Sequence, residues 1–297
     1  MTTTIKIEQN SDRNIKLLAA QQQLYTEAKR LRSVRLISSV LLAVAAPFIV
    51  AFQPGWNTTL GVIGAIWLML DQAVLKHIQN STVRQAAVIQ EEFDTNIFNL
   101  PWNPILVGDR VPPESVTSAS GRFKRDKEKL RDWYPDMGSV PYPFDVLICQ
   151  RFNLVWDWQL RRNYAAAILV TVAIYIGFLI WFAIYRDLLV IEAVLLFLPA
   201  TSAIAEGIGV AIDHIQLASE KESTSKIILS LWESGIKNSS TVSAAQCRVI
   251  QDCIYNYRSK GPLVPNWWYD WLRSRYEVNM QNTAEELRAE AEKRFCQ

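Results

Sequence analysis

The sequence predicts an all-α membrane protein, with four transmembrane helices in two hairpins and a mostly helical cytoplasmic region. Three observations carry this. Apolar residues collect in four runs, Leu36–Phe52, Thr58–Leu75, Ala165–Tyr185 and Leu188–Ile212, each near the about 20 residues that cross about 30 Å of hydrocarbon. The partners in each pair are separated only by Gln53-Pro54-Gly55-Trp56-Asn57 and by Arg186-Asp187. Such breaks hold no domain, so each pair reads as a hairpin whose tip just clears the far side. Charge then sets orientation. Lys29, Arg30, Arg32 and Arg35 precede the first run, Lys76 and Arg84 follow the second, and Arg161 and Arg162 precede the third. The tips carry only Arg186, beside Asp187. Basic residues flanking spans stay in the cytoplasm, so both termini and the middle segment are expected there. The expected parts are 1–35, 36–75 (hairpin), 76–164, 165–212 (hairpin) and 213–297.

Each cytoplasmic part reads as helix. In residues 12–35, Ile15, Leu18, Gln22, Tyr25 and Leu31 recur near helical spacing with no Gly or Pro, so this helix runs into the first span. Residues 76–99 prolong the second span, with Val83, Ala87, Ile89 and Phe93 on a broken apolar face, and stop at the prolines of Leu100-Pro101-Trp102-Asn103-Pro104. Residues 101–121 are rich in Pro, Gly and Ser and read as a loop. The basic stretch Arg122–Arg131 reads either as a solvated helix face near anionic headgroups or as a phosphate-binding patch. A helix over Phe144–Arg162 leads into the third span. The fourth run continues as helix to about Lys237, another helix covers about Thr241–Ser259, and Gly261-Pro262-Leu263-Val264-Pro265 breaks the chain. A last helix, opening with Trp267, Trp268 and Trp271, runs from Asn266 to about Phe295. Pro47 and Pro199 mark possible kinks in the first and fourth spans.

The fourth run carries charge. Glu192, Pro199, Glu206, Asp213 and Glu220 recur every seven residues, a stripe that drifts about 20° per heptad on an α-helix. A carboxylate at mid-bilayer costs about 2.5–3.5 kcal/mol, so the stripe should face other helices or water. Glu206, next to the small Gly207 and Gly209, reads as a helix-packing group or as a pore or gating carboxylate; Glu192 and Asp213 share the second reading. Glu192 can equally reach headgroups, and Asp71 reads most simply as interfacial.

Other classes of function find little support. The net charge of +2 is too small for a nucleic-acid polymer partner. Four cysteines (Cys149, Cys247, Cys253, Cys296) form no CxxC pair and there are only two histidines, His77 and His214, so no metal set is expected and the thiols read as reduced. No cleavable leader is visible, and the first span is expected to direct insertion. P-loop, GxSxG and HExxH motifs are missing, and neighbouring carboxylates such as Glu91 and Glu92 diverge on a helix. A non-enzyme without a resident cofactor is expected.

Several segments carry a specific likeness: Asn14–Lys29 (NIKLLAAQQQLYTEAK), Gln90–Asp94 (QEEFD) with Leu100–Asn103 (LPWN), Asp132–Pro135 (DWYP), Ile148–Asn153 (ICQRFN), Trp156-Asp157 and Leu160–Tyr164 (LRRNY). In wording and order the chain resembles the SMODS-associating four-transmembrane effector family of bacterial anti-phage systems. The resemblance covers most of the chain up to the third span, while the last 60 residues add no motif. It implies an inner-membrane effector that responds to a cyclic di- or trinucleotide, made by a neighbouring cGAS-like nucleotidyltransferase, by permeabilising the bilayer as a homo-oligomer and so ending phage production with the host cell. It supplies no map of ligand residues. Those are sought by chemistry: a polyanionic nucleotide wants guanidinium forks and aromatic faces, which singles out Arg151, Trp156, Arg161 and Arg162, then Lys124, Arg125 and Trp133. Two other readings stay open, a nucleotide-independent small ion channel or transporter and a membrane-anchored interaction scaffold.

Overall fold

The computed structural model describes residues 4–198, 200–238 and 242–295, and every regular element among them is helical. A short α1 (Thr4–Glu8) precedes α2 (Asp12–Phe52), which the Ser11 side chain caps by accepting from Asn14 N. At 1.5 Å per residue the 41 residues of α2 extend about 62 Å, about twice the hydrocarbon thickness. The predicted cytoplasmic helix and first span are therefore one rod, unbroken through position 47. A 3₁₀ turn, Pro54–Trp56, leads into α3 (Asn57–Leu70), a π-helical turn (Asp71–Leu75) and α4 (Lys76–Ile97). α7 (Phe144–Tyr185) likewise merges the helix expected over Phe144–Arg162 with the third apolar run. Then come α8 (Val190–Phe197), α9 (Ala200–Asn238), α10 (Ala244–Lys260) and α11 (Asn266–Phe295). A capping box between Ser243 and Gln246 opens α10.

Among the described residues, the helices within Asp12–Val50, Thr58–Ile97 and Phe144–Tyr185 are long and apolar enough to cross a membrane. The fourth apolar run is divided between α8 and the first turns of α9. Pro199, read as a kink, lies between them outside the described residues, as does Cys296.

Two expectations need correction. Residues 101–121 are not a plain loop but hold α5 (Pro104–Val107) and α6 (Pro113–Arg122). Their prolines sit in the first turn, where the missing N–H costs nothing. The basic stretch is not a helix face: after Arg122, the last residue of α6, it forms a 3₁₀ turn, Lys127–Leu130, capped by the Asp126 carboxylate and anchored by buried Leu130.

Burial divides the chain in two. Outside the apolar runs, Leu18 and Ala19 of α2, Ile89 and Phe93 of α4, Leu147 and Cys149 of α7, and Ile250 and Ile254 of α10 share one core with Tyr134. In the apolar runs large side chains stay exposed, among them Ile66, Met69, Ile174 and Val190. A continuous apolar surface of that kind suits lipid and not water. α7 lies along α9 and α2 along α4, so long rods tie both halves together.

Candidate functional site

A cleft of about 1570 Å³ opens between α2, the α3–α4 rod, the α8–α9 segment and the end of α10. Glu192, Glu206, Asp213 and Glu220 all line it. All four carboxylates are exposed, so the stripe borders an open groove, and the three residues singled out as pore or gating groups lie along it. On the opposite wall Arg35 grips Asp71 with two hydrogen bonds, Nε–Oδ1 at 2.5 Å and Nη2–Oδ2 at 2.8 Å, and donates a third to Gln79 Oε1 at 2.7 Å. Asp71, read as interfacial, is buried instead. It opens the π-helical turn, a one-residue register change that re-aims side chains.

The α10–α11 turn forms one end of this cleft, its floor. Gly261, Pro262 and Leu263 line it, and two arginines hold the turn by its carbonyls. Arg32 Nη1 donates to Leu263 O at 2.8 Å, and Arg161 Nη1 to Pro262 O at 2.5 Å. Arg161 also pairs through Nε with Asp157 at 2.6 Å, and Lys221 bonds the same carboxylate. His214 Nδ1 lies 3.2 Å from Arg161 Nη1. Burial, and then the Arg161 charge, push the His214 pKa down to about 2, so the ring is neutral at physiological pH and Nδ1 can accept. Burial likewise pushes the Lys221 ammonium down to about 8, against the pull of Asp157. Gly261 is required here: a Cβ would sit 2.3 Å from Tyr257 O and 2.5 Å from Leu217 Cδ2.

Inside the core around Tyr134 lies a second polar network that the sequence reading missed. Glu91 and Asp94 of α4 are fully buried. Arg248 pairs with Glu91 at 2.6 Å and Arg258 with Asp94 at 2.5 Å, while Gln251 bridges both carboxylates at 2.9 and 3.0 Å. Burial alone would lower the Arg258 pKa, but Asp94 and its hydrogen bond outweigh it and hold the group charged. Tyr134 donates to Asp94 at 2.7 Å and accepts from Asn153 at 2.5 Å. The one available signal was verbal: Gln90–Asp94, Asp132–Pro135 and Ile148–Asn153, three segments with family wording, supply Glu91, Asp94, Tyr134, Gln150 and Asn153.

The residues singled out for a nucleotide divide. Arg161 is turned inward and committed to the floor. Arg162 pairs with Glu222 at 2.6 Å and lies over Trp158. Trp156 packs edge-on against Tyr269, 5.4 Å between centroids, and Arg125 reaches Asp270 at 3.6 Å. These two therefore meet the first turns of α11, where Lys29 also lies over Tyr269. Arg151 is half-buried on α7, its Nε unbonded and with no ion-pair partner among the described residues. Lys124 is exposed, and Trp133 packs on the core around Tyr134. Arg125 and Trp156 thus each meet the first turns of α11, at Asp270 and Tyr269, while Arg161, Arg162 and Trp133 are engaged elsewhere.

Comparison with known proteins adds the family. A model of the SMODS-associating 4TM effector domain matches residues 3–287. A protein described as a probable CBASS effector molecule, from Bacillus cereus (strain VD146), is 32% identical over 274 residues, covering 90% of this chain and 92% of its own. No solved structure matches.

Proposed function

Because the chain belongs to the SMODS-associating 4TM effector family, we propose that it is the membrane-acting arm of a cyclic-oligonucleotide-based anti-phage system. Four helices cross the bacterial inner membrane as two hairpins, Leu36–Phe52 with Thr58–Leu75 and Ala165–Tyr185 with Leu188–Ile212, with both termini in the cytoplasm. A cyclic di- or trinucleotide from a cGAS-like nucleotidyltransferase is captured on the cytoplasmic side. The protein, assembled as a homo-oligomer, then permeabilises the membrane.

The observation that supports this best is the carboxylate-lined cleft whose floor is tied to cytoplasmic helices. Arg35, Asp71, Glu206 and Asp213 give ions a polar surface where lipid would otherwise exclude them. The floor hangs from Arg161, one turn beyond Asp157 on α7. Its neighbour Trp156 packs on α11, where Arg125 and Lys29 also gather. A phosphate and base held there bear on the α7–α11 contact and so on the α10–α11 turn that Arg161 holds. The ligand shifts the closed and open states only by its differential affinity for them.

Glu206→Gln, measured by ion flux from proteoliposomes, tests this reading. The variant should insert as the wild type does and carry an altered ligand-triggered flux. Unchanged flux and ion preference would remove Glu206 from the path. Flux that needs no nucleotide would favour a small ion channel, a reading that the presence of a polar cleft within one protomer also supports.

A further inference from the structure

We infer that the start of α11 is a membrane-interface foot: Trp267 and Trp271 sit in the headgroup layer of the cytoplasmic leaflet. Both indoles are exposed, 65% and 66%, although each carries more apolar surface than almost any other side chain. Four residues apart, they share one helix face. Between them in sequence, Trp268 is buried in a small cluster with Leu160, Tyr164, Val264 and Leu272, against which Ile168 also packs. Tyr164 and Ile168 flank the point where α7 enters its apolar run at Ala165. The Trp268 ring meets Tyr164 edge-on at 5.5 Å and also contacts Trp267 and Trp271, at 5.5 and 5.3 Å. The exposed pair is therefore continuous with the surface through which the third run meets lipid.

The dimensions agree. Four helical residues advance about 6 Å, and the headgroup layer on each side of the hydrocarbon is about 5–7 Å thick. Two indoles one turn apart fill that layer, where amphipathic rings are enriched. From this foot α11 runs back along α7 to Phe295, which lies 5.0 Å from Phe144. It is a strut between the lipid interface and the cytoplasmic core. The inference requires only that the α7 apolar run lies in lipid, and it holds whether or not a nucleotide acts.

Spin labels test it in nanodiscs of phosphatidylcholine and phosphatidylglycerol, without nucleotide. Single cysteines replace Trp267, Trp271, Ile174 or Arg131 in a background with Cys253 and Cys296 changed to Ser; Cys149 and Cys247 are buried. Ile174, in the apolar run, should relax more with oxygen than with a water-soluble nickel chelate, and Arg131 the reverse. Positions 267 and 271 should show oxygen access well above that of Arg131 and nickel access well below it. Water-like values at 267 and 271 with a lipid-like Ile174 overturn the foot. A water-like Ile174 overturns the membrane placement itself. Quenching by dibrominated phosphatidylcholine serves if the labels disturb the fold. Trp267→Phe/Trp271→Phe should lower the quenched share of tryptophan emission, and an unchanged share counts against the inference.

Discussion

Asp157→Asn probes the floor of the cleft with almost no change of shape. The carboxylate bonds Arg161 Nε at 2.6 Å and Lys221 Nζ, and the two cations have side chains only 10% and 7% exposed. Both cations donate to the same oxygen, Oδ2, so an asparagine whose carbonyl oxygen takes that place keeps both hydrogen bonds and loses the charge that pairs them. Removing one partner of a buried pair costs about 3–5 kcal/mol. The surviving hydrogen bonds, worth about 1 kcal/mol each, place this variant at the lower end, about 3 kcal/mol. Arg161 also carries Pro262 O, so the loss falls on the α10–α11 turn. Each 1.4 kcal/mol is tenfold, and the full amount moves a closed–open balance by about a hundredfold. The assay pairs the thermal unfolding midpoint in detergent with ion flux from proteoliposomes lacking nucleotide. A lower midpoint and a raised basal flux are expected. Asp157→Asn/Lys221→Met, which removes a cation with the anion, should recover part of both. A lowered midpoint with wild-type flux would refute the gating role, and an unchanged midpoint would refute the buried pairing.

Gly261→Ala places a methyl 2.3 Å from Tyr257 O; overpacking costs about 1–3 kcal/mol, and both midpoint and basal flux should move as for Asp157→Asn. Lys221 titrates near 8 when folded, against 10.5 unperturbed. Between those values the unfolded chain holds more protons at this position, so its contribution to stability rises with pH across that window; Lys221→Met should abolish the corresponding part of the midpoint shift between about pH 7.5 and 10. Arg151→Ala should leave insertion intact and weaken cyclic-nucleotide binding tenfold to a hundredfold, the loss of one charge-assisted bond of about 1.5–3 kcal/mol. Unchanged affinity by calorimetry would exclude Arg151 from the ligand site.

The long helices were legible because their signals are local. Apolar runs and unbroken periodicity in Asp12–Phe52 and Phe144–Tyr185 need no knowledge of partners, and the sevenfold spacing of the carboxylates is visible for the same reason. Short helices were missed where proline marks a first turn rather than a stop, as at Pro104 and Pro113. The buried networks were illegible for a different reason. Glu91 meets Arg248 across 157 positions and Asp94 meets Arg258 across 164, so each looks like an ordinary solvated helix charge. Arg161 was read as a ligand fork. Asp157, four residues before it, was the local cue to its inward commitment, but the carbonyl of Pro262 was not visible from the chain.

The central claim is that a cytoplasmic cyclic oligonucleotide controls the permeability of the membrane through this protein. Ion flux from proteoliposomes, measured across a panel of cyclic di- and trinucleotides, tests it most directly. One member of the panel should change the flux at concentrations where it binds the purified protein. Identical flux with every member, from correctly inserted protein, would contradict the account.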